Sequence, residues 1–205
     1  MALETELKLL LPPDQCELVR THTLFSGDAA CYQGRQRLLN CYYDTPQFDL
    51  RANRVALRVR HHESGYIQTL KTSGERSAGL SRRQEWEWPL ESEQLDLELL
   101  DEQHWPLDER IKANLLPCFN TDFERECWLL EWTGDVHGTI EVALDQGQVM
   151  AAGQQLPICE LELELKGGKE EALQEVADLL VQTISLTPSD ISKAQRGYRL
   201  MGLSV

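Results

Sequence analysis

Two segments near opposite ends of the chain alternate charged and apolar residues with a period of two. The first reads Leu-Glu-Thr-Glu-Leu-Lys-Leu over residues 3–9, and the second reads Cys-Glu-Leu-Glu-Leu-Glu-Leu-Lys over residues 159–166. Because successive side chains of a strand point to opposite faces, each segment predicts a strand with one apolar and one charged face. The charged phases contain Glu4, Glu6 and Lys8, and Glu160, Glu162 and Glu164. The chain must therefore fold around a sheet with one unusually charged face.

Strands between these two segments carry cations in the same alternating manner. Residues 54–62 and 66–72 predict a hairpin that turns at Glu63-Ser64-Gly65, and a further strand follows the link over residues 73–79. The charged phase of these strands contains Arg58, Arg60, Lys71, Arg83, Glu85 and Glu87. Like charges in register cost free energy, so an ordinary solvent face would mix both signs along every strand. Segregation by sign favours a site over that alternative.

Basic residues are concentrated in one part of an acidic chain. The formal net charge is −14, yet residues 51–83 contain only two acids, Glu63 and Glu75. The cations in that stretch are Arg51, Arg54, Arg58, Arg60, Lys71, Arg76, Arg82 and Arg83. Such a cluster of cations requires an anionic partner. For Arg51, Arg76 and Arg82, near strand ends and in loops, pairing with acidic helices is the favoured alternative.

Composition excludes several classes of protein. A charge of −14 argues against a nucleic-acid-binding or anionic-membrane-binding surface, because both need a basic field. No stretch is apolar enough to span a bilayer, and the acidic start lacks the features of a signal peptide, which predicts a soluble cytoplasmic protein. The six cysteines and five histidines form no CxxC pair and no zinc-like spacing. A chain of 205 residues with 41% hydrophobic content can bury the core of one domain.

Other periodicities and breakers predict the remaining elements. In chain order these are a helix after Pro12-Pro13-Asp14, a strand over 35–44, a short helical piece over 46–53, an acidic helix over 91–116 broken at Pro106, strands over 123–132 and 139–145, a turn at Gln146-Gly147, an amphipathic helix over 169–184, and a last helix capped by Ser189-Asp190. The two tryptophans of the strand after residue 79, Trp86 and Trp88, should be buried in the core or covered by a helix.

About eight strands with helices at both flanks and no βαβ alternation indicate an α+β fold. The sheet should be antiparallel and closed into a barrel. Amphipathic helices need an apolar partner, so they should cover the apolar face of the strands from outside. The charged face would then point into the barrel and form a tunnel with a charged interior.

A charged interior of this kind has a direct chemical meaning. Clustered carboxylates bind hard divalent cations, chiefly Mg²⁺ or Mn²⁺. Arginine and lysine supply donors for phosphate oxygens. Together they would hold a metal-bound polyphosphate. A core of salt bridges without a ligand is the less favoured alternative, because burying so many charges is costly.

The ordered motifs resemble a known family over nearly the whole chain. They are Glu4-x-Glu6-x-Lys8, Ala56-Leu57-Arg58-Val59-Arg60, Thr69-Leu70-Lys71, Arg83-x-Glu85-x-Glu87, Arg125, Glu141 with Asp145, Glu160-x-Glu162-x-Glu164, and Ser192-Lys193. This set resembles the CYTH superfamily, the triphosphate tunnel metalloenzymes. The runs Tyr-Tyr-Asp-Thr-Pro, Ala-Leu-Asp-Gln-Gly and Pro-Ile-Cys-Glu-Leu-Glu-Leu-Glu-Leu look most like the bacterial inorganic triphosphatases.

The resemblance implies one CYTH domain over residues 1–205, with a plug helix over about 189–202, that hydrolyses tripolyphosphate to pyrophosphate and phosphate. It implies two metal sites, one holding the phosphates and a weaker one activating water. The implied metal ligands are Glu4, Glu6, Glu141, Asp145, Glu160, Glu162 and Glu164. The implied phosphate-binding residues are Lys8, Arg58, Arg60, Lys71, Arg83, Arg125 and Lys193. The implied catalytic set is Glu4, Glu6, Glu85, Glu87 and Lys71.

Two departures and two alternative functions accompany this expectation. Relatives often carry a lysine two places after the equivalent of Arg125, where this chain has Cys127, and many continue into a helical CHAD domain, whereas this sequence stops at Val205. A thiamine triphosphatase or class IV adenylate cyclase would need an aromatic or apolar pocket at a tunnel mouth, which the sequence does not reveal. A non-catalytic polyphosphate-binding module would be weakened by so many glutamates.

Overall fold

The computed structural model describes residues 2–204, and its main feature is one antiparallel sheet. The strands are β1 (Ala2–Leu10), β2 (Ala30–Asp44), β3 (Ala56–His62), β4 (Gly65–Lys71), β5 (Glu75–Ser77), β6 (Leu80–Leu90), β7 (Leu116–Thr133), β8 (His137–Ala151), β9 (Gln154–Gly168) and β10 (Thr187–Pro188). The order is β10-β1-β9-β8-β7-β2-β3-β4-β6-β5, and β1 also pairs with β6. The eight longer strands therefore close into a barrel, as predicted, and β5 and β10 are short additions.

The helices are short and lie around this barrel. They are α1 (Cys16–Arg20), α2 (Thr23–Ser26), α3 (Asp49–Ala52), α4 (Glu109–Lys112), α5 (Glu171–Leu180) and α6 (Lys193–Leu200), with a single 3-10 turn at Pro13–Gln15. No helix within residues 2–204 is long and apolar enough to cross a lipid bilayer.

The two faces of β1 show the predicted polarity. Leu7 and Leu9 belong to an outer apolar core that also contains the buried side of α5. The predicted helical stripe of Leu173, Val176, Leu180 and Ile184 is fully buried there, at about 1.5–3 kcal/mol for each large apolar side chain. Glu4, Glu6 and Lys8 on the opposite phase are buried as well, with relative exposures of 5–6%. Burial of charged side chains on the inner face confirms a barrel with a charged interior.

The two ends of the barrel differ, because α6 lies across one of them. At this end, called here the plug end, β1, β2, β4 and β8 finish and the other four long strands begin. Tyr198 of α6 packs on Phe119 inside the barrel, and its hydroxyl donates a hydrogen bond of 2.7 Å to Asp44. A Cβ at Gly197 would lie 2.3 Å from the Phe119 ring, so only glycine permits this approach. The opposite end is called the far end.

The cap of α6 differs from the prediction. Ser192, rather than Ser189-Asp190, begins the helix: its side chain accepts a hydrogen bond from the Gln195 amide, and the Gln195 side chain accepts one from the Ser192 amide. This reciprocal capping box satisfies two amides that the helix leaves unpaired. The Asp190 carboxylate instead accepts a hydrogen bond of 2.8 Å from the Gly79 amide. It thus ties the segment before α6 to the start of β6.

The predicted acidic helix over 91–116 is wrong. Only the four residues of α4 are helical, and the rest of the segment forms turns and bends. Asp96, Asp101 and Asp108 each accept a hydrogen bond from the amide two residues further on, which favours turns over a continuous helix. The turns still cover the half-buried Trp86 and Trp88, so that prediction is confirmed with a different cover.

The predicted turn at Gln146-Gly147 is also wrong, because β8 is continuous through it. Gly147 lies opposite Phe123 of β7, and a Cβ there would come within 2.4 Å of the Phe123 Cα. A glycine inside a strand often marks such a close approach of two backbones. The strand predicted over 35–44 begins earlier, at Ala30, and the predicted link over 73–79 contains the short β5.

Candidate active site

The barrel encloses a cavity of about 830 Å³ that is lined by side chains of both charges. The sequence-predicted site residues that line it are Glu4, Glu6, Lys8, Arg58, Arg60, Lys71, Arg83, Glu85, Glu87, Arg125, Glu141, Glu162, Glu164 and Lys193. Asp145 and Glu160 are fully buried next to it and contact Lys193. The predicted residues come from every long strand of the barrel except β2, and from α6; β2 contributes Tyr42 to the cavity wall.

One cluster is built around Glu4 on β1. Its carboxylate lies 2.6 Å from the Lys71 Nζ and 2.6 Å from the Arg83 Nε. Burial alone would raise the pKa of Glu4, but the two cations outweigh it and lower that pKa. Arg83 also reaches Glu6 at 3.2 Å, and Lys71 reaches Glu85 at 3.1 Å. Each cation of this cluster thus has two carboxylate partners.

A second cluster surrounds the ammonium of Lys193. The Nζ lies 2.6 Å from Asp145, 2.5 Å from Glu160 and 3.1 Å from Glu162. Arg125 binds Asp145 through two hydrogen bonds of 2.7 Å and Glu162 through one of 2.5 Å. Burial of Glu162 is outweighed by Lys193 and its other cationic neighbours, so the pKa of Glu162 falls well below its ordinary value.

The three carboxylates around Lys193 are grouped closely enough to bind a cation. One oxygen from each of Asp145, Glu160 and Glu162 lies within 4.8 Å of the others. A donor set of oxygen atoms alone suits a hard divalent cation such as Mg²⁺ or Mn²⁺. In the structure the Lys193 ammonium contacts all three groups, so the set fits a compact cation. A metal ion bound there would have to share the carboxylates with Lys193 or displace it.

A third part of the cavity is basic and incompletely neutralised. Arg58 comes no closer than 3.9 Å to a carboxylate, that of Glu87, and its buried Nε has no hydrogen-bond partner among the described residues. Arg60 donates its Nε hydrogen to the neutral Asn40 side chain at 3.0 Å. Burial, together with the neighbouring Arg58 and Arg125, lowers the pKa of Arg60. A buried donor without an acceptor is costly, and an anion in the cavity would satisfy it.

Two glutamates of β6 lie between the first cluster and this basic corner. Glu85 contacts Lys71, and Glu87 accepts a hydrogen bond of 3.1 Å from the Thr69 hydroxyl. For both groups the cationic neighbours outweigh the effect of burial, which lowers the pKa of each carboxyl. Both therefore remain ionised and able to accept hydrogen bonds near neutral pH.

Sequence reasoning missed Lys166 as a site residue. Its Nζ lies 2.7 Å from Glu164 and 3.7 Å from Glu141, and it lines the cavity at the far end. The signal was available, because Lys166 continues the charged phase of Glu160, Glu162 and Glu164 along β9. Burial is the largest influence on Glu164 and raises its pKa, although Lys166 acts in the opposite direction.

Cys127 stands where a further cation was expected from the resemblance. Burial raises the pKa of its thiol to about 11, so the group is neutral at physiological pH. Its neighbour across the β7–β8 ladder is Ala143, which supplies no charge either. The structure therefore offers no cation at this position of β7.

Acid should destabilise the chain through its tunnel carboxylates. Glu4, Glu85, Glu87 and Glu162 all have a lowered pKa in the folded state relative to 4.5. Their stabilising contribution is complete above about pH 4.5 and is lost as the pH falls through the lower folded values. Thermal unfolding followed from pH 8 to pH 3 should show a melting temperature that falls below about pH 4.5. A melting temperature constant down to pH 3 would contradict the ion-pairing described above.

A closed antiparallel barrel with paired acids and bases in its interior defines a barrel of the tunnel type. The profile of the CYTH domain family matches residues 2–198, and the chain belongs to that family. The chain is also 35% identical over 161 residues to the inorganic triphosphatase of Haemophilus influenzae, a match that covers 78% of this chain and 45% of that protein. The chain thus spans about half the length of this curated relative.

Solved structures show the same fold at low sequence identity. The Hippeastrum protein HpAC1, described as an adenylyl cyclase candidate with a dominant triphosphatase activity, superposes with a TM-score of 0.67 at 16% identity, over 98% of this chain and 97% of that chain. The PH1819 protein of Pyrococcus horikoshii superposes with a TM-score of 0.60 at 19% identity, over 98% and 99% of the two chains. At these identities the likeness concerns the fold alone.

Proposed function

We propose that this chain hydrolyses inorganic tripolyphosphate to pyrophosphate and phosphate inside the barrel, with Mg²⁺ or Mn²⁺ bound by the tunnel carboxylates. The observation that carries the proposal is the basic corner of Arg58 and Arg60, which faces the carboxylate clusters across one cavity and lacks a full complement of acceptors. A polyphosphate would supply the missing anion. The similarity to a named inorganic triphosphatase supports the same reaction.

Binding would proceed by exchange of partners. In the structure most tunnel cations contact carboxylates, as Lys71 and Arg83 contact Glu4. Phosphate oxygens would take the place of these carboxylates on the cations, and the released carboxylates would become available to metal. No buried charge is then left unpaired, which keeps the desolvation penalty small. The proposed phosphate ligands are Lys8, Arg58, Arg60, Lys71, Arg83, Arg125 and Lys193.

The acids divide into two proposed roles. Glu4, Glu6, Glu141, Asp145, Glu160, Glu162 and Glu164 are the proposed ligands of two metal sites. A divalent ion bound there would neutralise phosphate charge and lower the pKa of a bound water. Glu85 and Glu87, ionised at neutral pH, would orient the attacking water by accepting its hydrogen bonds. The water oxygen would bond to a terminal phosphorus and give one proton to the carboxylate of Glu85 or Glu87. The bond between that phosphorus and the bridging oxygen would break, and pyrophosphate would depart with the bridging oxygen.

The cavity lining favours an inorganic substrate over a nucleotide or thiamine triphosphate. Within the described chain the aromatic side chains that line it are Tyr42 and Tyr198, and both are buried with 5% relative exposure. Neither offers an open face on which a nucleobase or thiazole ring could stack. The sequence-based alternatives therefore gain no support from the site.

Phosphate release tests this proposal. Tripolyphosphate, pyrophosphate, ATP and thiamine triphosphate should each be incubated with the chain in Mg²⁺, Mn²⁺ or EDTA. Release from tripolyphosphate alone, dependent on metal, is the expected result. Preferential release from ATP or thiamine triphosphate would instead identify one of the alternatives. Tight binding of intact tripolyphosphate in Mg²⁺ would indicate a binding module.

Arg58→Ala should raise the KM for tripolyphosphate by about tenfold or more, since a charge-assisted hydrogen bond contributes about 1.5–3 kcal/mol. The matched control is Arg37→Ala on the outside of β2, where the exposed guanidinium pairs with Asp122. Steady-state kinetics of both variants measure the difference. A KM for Arg58→Ala equal to that of the control would remove Arg58 from the phosphate site.

A further inference from the structure

Three arginines at the plug end, Arg51, Arg54 and Arg76, line the cavity without an ion pair to a carboxylate of the described residues. Arg51 donates a hydrogen bond to the Ser204 carbonyl. Arg54, just before β3, and Arg76, on β5, are both exposed and belong to the cavity wall. Within residues 2–204 neither forms an ion pair at 4.0 Å or less, although acids outnumber basic residues 34 to 20 in this chain. The neighbouring Arg82 differs from them, because it points outward and forms ion pairs with Glu75 and Glu170.

Hydrogen bonds hold Arg76 at this opening, and the local backbone conformation positions Arg54 there. Arg76 donates to the Gln195 side chain at 2.9 Å and to the Asp190 carbonyl at 3.4 Å, two neutral acceptors beside the start of α6. Arg54 has a left-handed backbone with φ of 57°, uncommon for a residue with a side chain, and its amide donates to the Arg51 carbonyl at 3.0 Å. The Arg76 guanidinium is thus fixed at the opening, and the exposed Arg54 side chain lines the same part of the cavity.

The opposite end of the cavity has the reverse charge. Glu141 and Glu164 line it there with one cation, Lys166, between them. A polyanion too long for the tunnel would be repelled by that end and attracted by the arginine end. The lining residues that precede Arg54 and Arg76 in the chain include Ala52, Thr72, Ser73 and Gly74, small side chains that offer no surface for stacking a nucleobase. One acid, Asp190, also lines the cavity beside Arg76, and its carboxylate accepts a hydrogen bond from the Gly79 amide. The chemistry of this opening therefore matches further phosphates.

We propose that Arg54 and Arg76 bind the phosphates of a linear polyphosphate that extends beyond the three held in the tunnel, so that chains of four or more phosphates bind better than tripolyphosphate. This inference rests on the proposed function for the position of the first three phosphates. It adds a substrate class, linear polyphosphates longer than three units, and a direction of entry at the plug end beside α6.

Binding of tripolyphosphate and tetrapolyphosphate should be compared by calorimetry in EDTA, and their hydrolysis by steady-state kinetics in Mg²⁺. In the unsubstituted chain we expect the lower Kd and KM for tetrapolyphosphate. Arg54→Gln and Arg76→Gln should each weaken tetrapolyphosphate about threefold to tenfold more than tripolyphosphate, as expected for partly exposed charge-assisted hydrogen bonds. Arg82→Gln, the matched control on the outer face, should leave the ratio between the two substrates unchanged.

The result that overturns the inference is a Kd that does not depend on chain length, or variants that weaken both polyphosphates equally. A gain for ATP over tetrapolyphosphate that depends on Arg54 would overturn it as well. Failure of the proposed hydrolysis is distinguishable, because the calorimetric comparison requires no turnover. If Arg76→Gln fails to fold because the hydrogen bond to Gln195 is lost, the comparison of the two polyphosphates in Arg54→Gln still tests the inference.

Discussion

Glu4→Gln and Glu6→Gln are each expected to lower the kcat of tripolyphosphate hydrolysis at least about 100-fold, because each removes a negative charge from the proposed metal site. The fold should survive both changes. After Glu4→Gln, Lys71 keeps Glu85 at 3.1 Å and Arg83 keeps Glu6 at 3.2 Å, so neither buried cation loses its last partner. Initial rates of phosphate release measure the expected loss of kcat, and a thermal melt of each variant tests whether the fold is retained.

The chain offers a matched control in Glu126→Gln. Glu126 is a buried acid on the same barrel, but it lies on the outer phase of β7 and pairs with Arg20 of α1. Its substitution should leave the rate within about twofold, since an outward group does not contact the reacting phosphates. Rates near those of the unsubstituted chain for both Glu4→Gln and Glu6→Gln would remove these two residues from the site.

Lys193→Met is expected to destabilise the chain by about 3–5 kcal/mol at neutral pH, the range seen when one partner of a buried ion pair is removed. The ammonium is 7% exposed and contacts Asp145, Glu160 and Glu162, of which the first two have fully buried side chains. Without it these carboxylates would share a buried space with fewer cations. Denaturant unfolding of the two chains at pH 7 measures the difference in free energy of unfolding.

Three comparisons sharpen this experiment. Lys166→Met removes an ammonium with 37% side-chain exposure from the far end, and its cost should stay below about 1 kcal/mol. Glu162→Gln added to Lys193→Met should recover part of the stability, because it removes one of the negative charges that Lys193 neutralised. Arg125 keeps Asp145 as a partner and Lys8 keeps Glu6 in that double variant. Mg²⁺ should raise the melting temperature of Lys193→Met more than that of the unsubstituted chain, if the three carboxylates accept a metal ion. A loss below about 1 kcal/mol for Lys193→Met would contradict the buried ion cluster.

Much of the site could be predicted because strands alternate strictly. Once Glu4, Glu6 and Lys8 occupy one phase of β1 and the leucines occupy the other, the apolar phase must face the helices and the charged phase must face inward. The same rule assigned the charged residues of β3, β4, β6, β8 and β9, and nearly all of them line the cavity. Lys166 could have been found by extending the phase of β9 by two residues.

Two predictions from local composition failed for different physical reasons. Gly147 resembles a turn residue, yet it lies inside β8 because the backbone of β7 approaches too closely for a Cβ. The segment after β6 has helical composition, yet its aspartates accept backbone hydrogen bonds in successive turns. The first outcome depends on a strand that is distant in the sequence, whereas the second comes from hydrogen bonds between residues only two positions apart.

The sequence by itself determined that this chain forms a closed barrel with an inward charged face, because only a period of two places the acids, the cations and the leucines on consistent sides. The tertiary structure decided which carboxylate pairs with which cation, and which end of the barrel α6 lies across. It also decided that Lys193 meets Asp145, Glu160 and Glu162. These contacts join residues 31–48 positions apart, and their geometry follows from strand register and barrel closure rather than from any local preference.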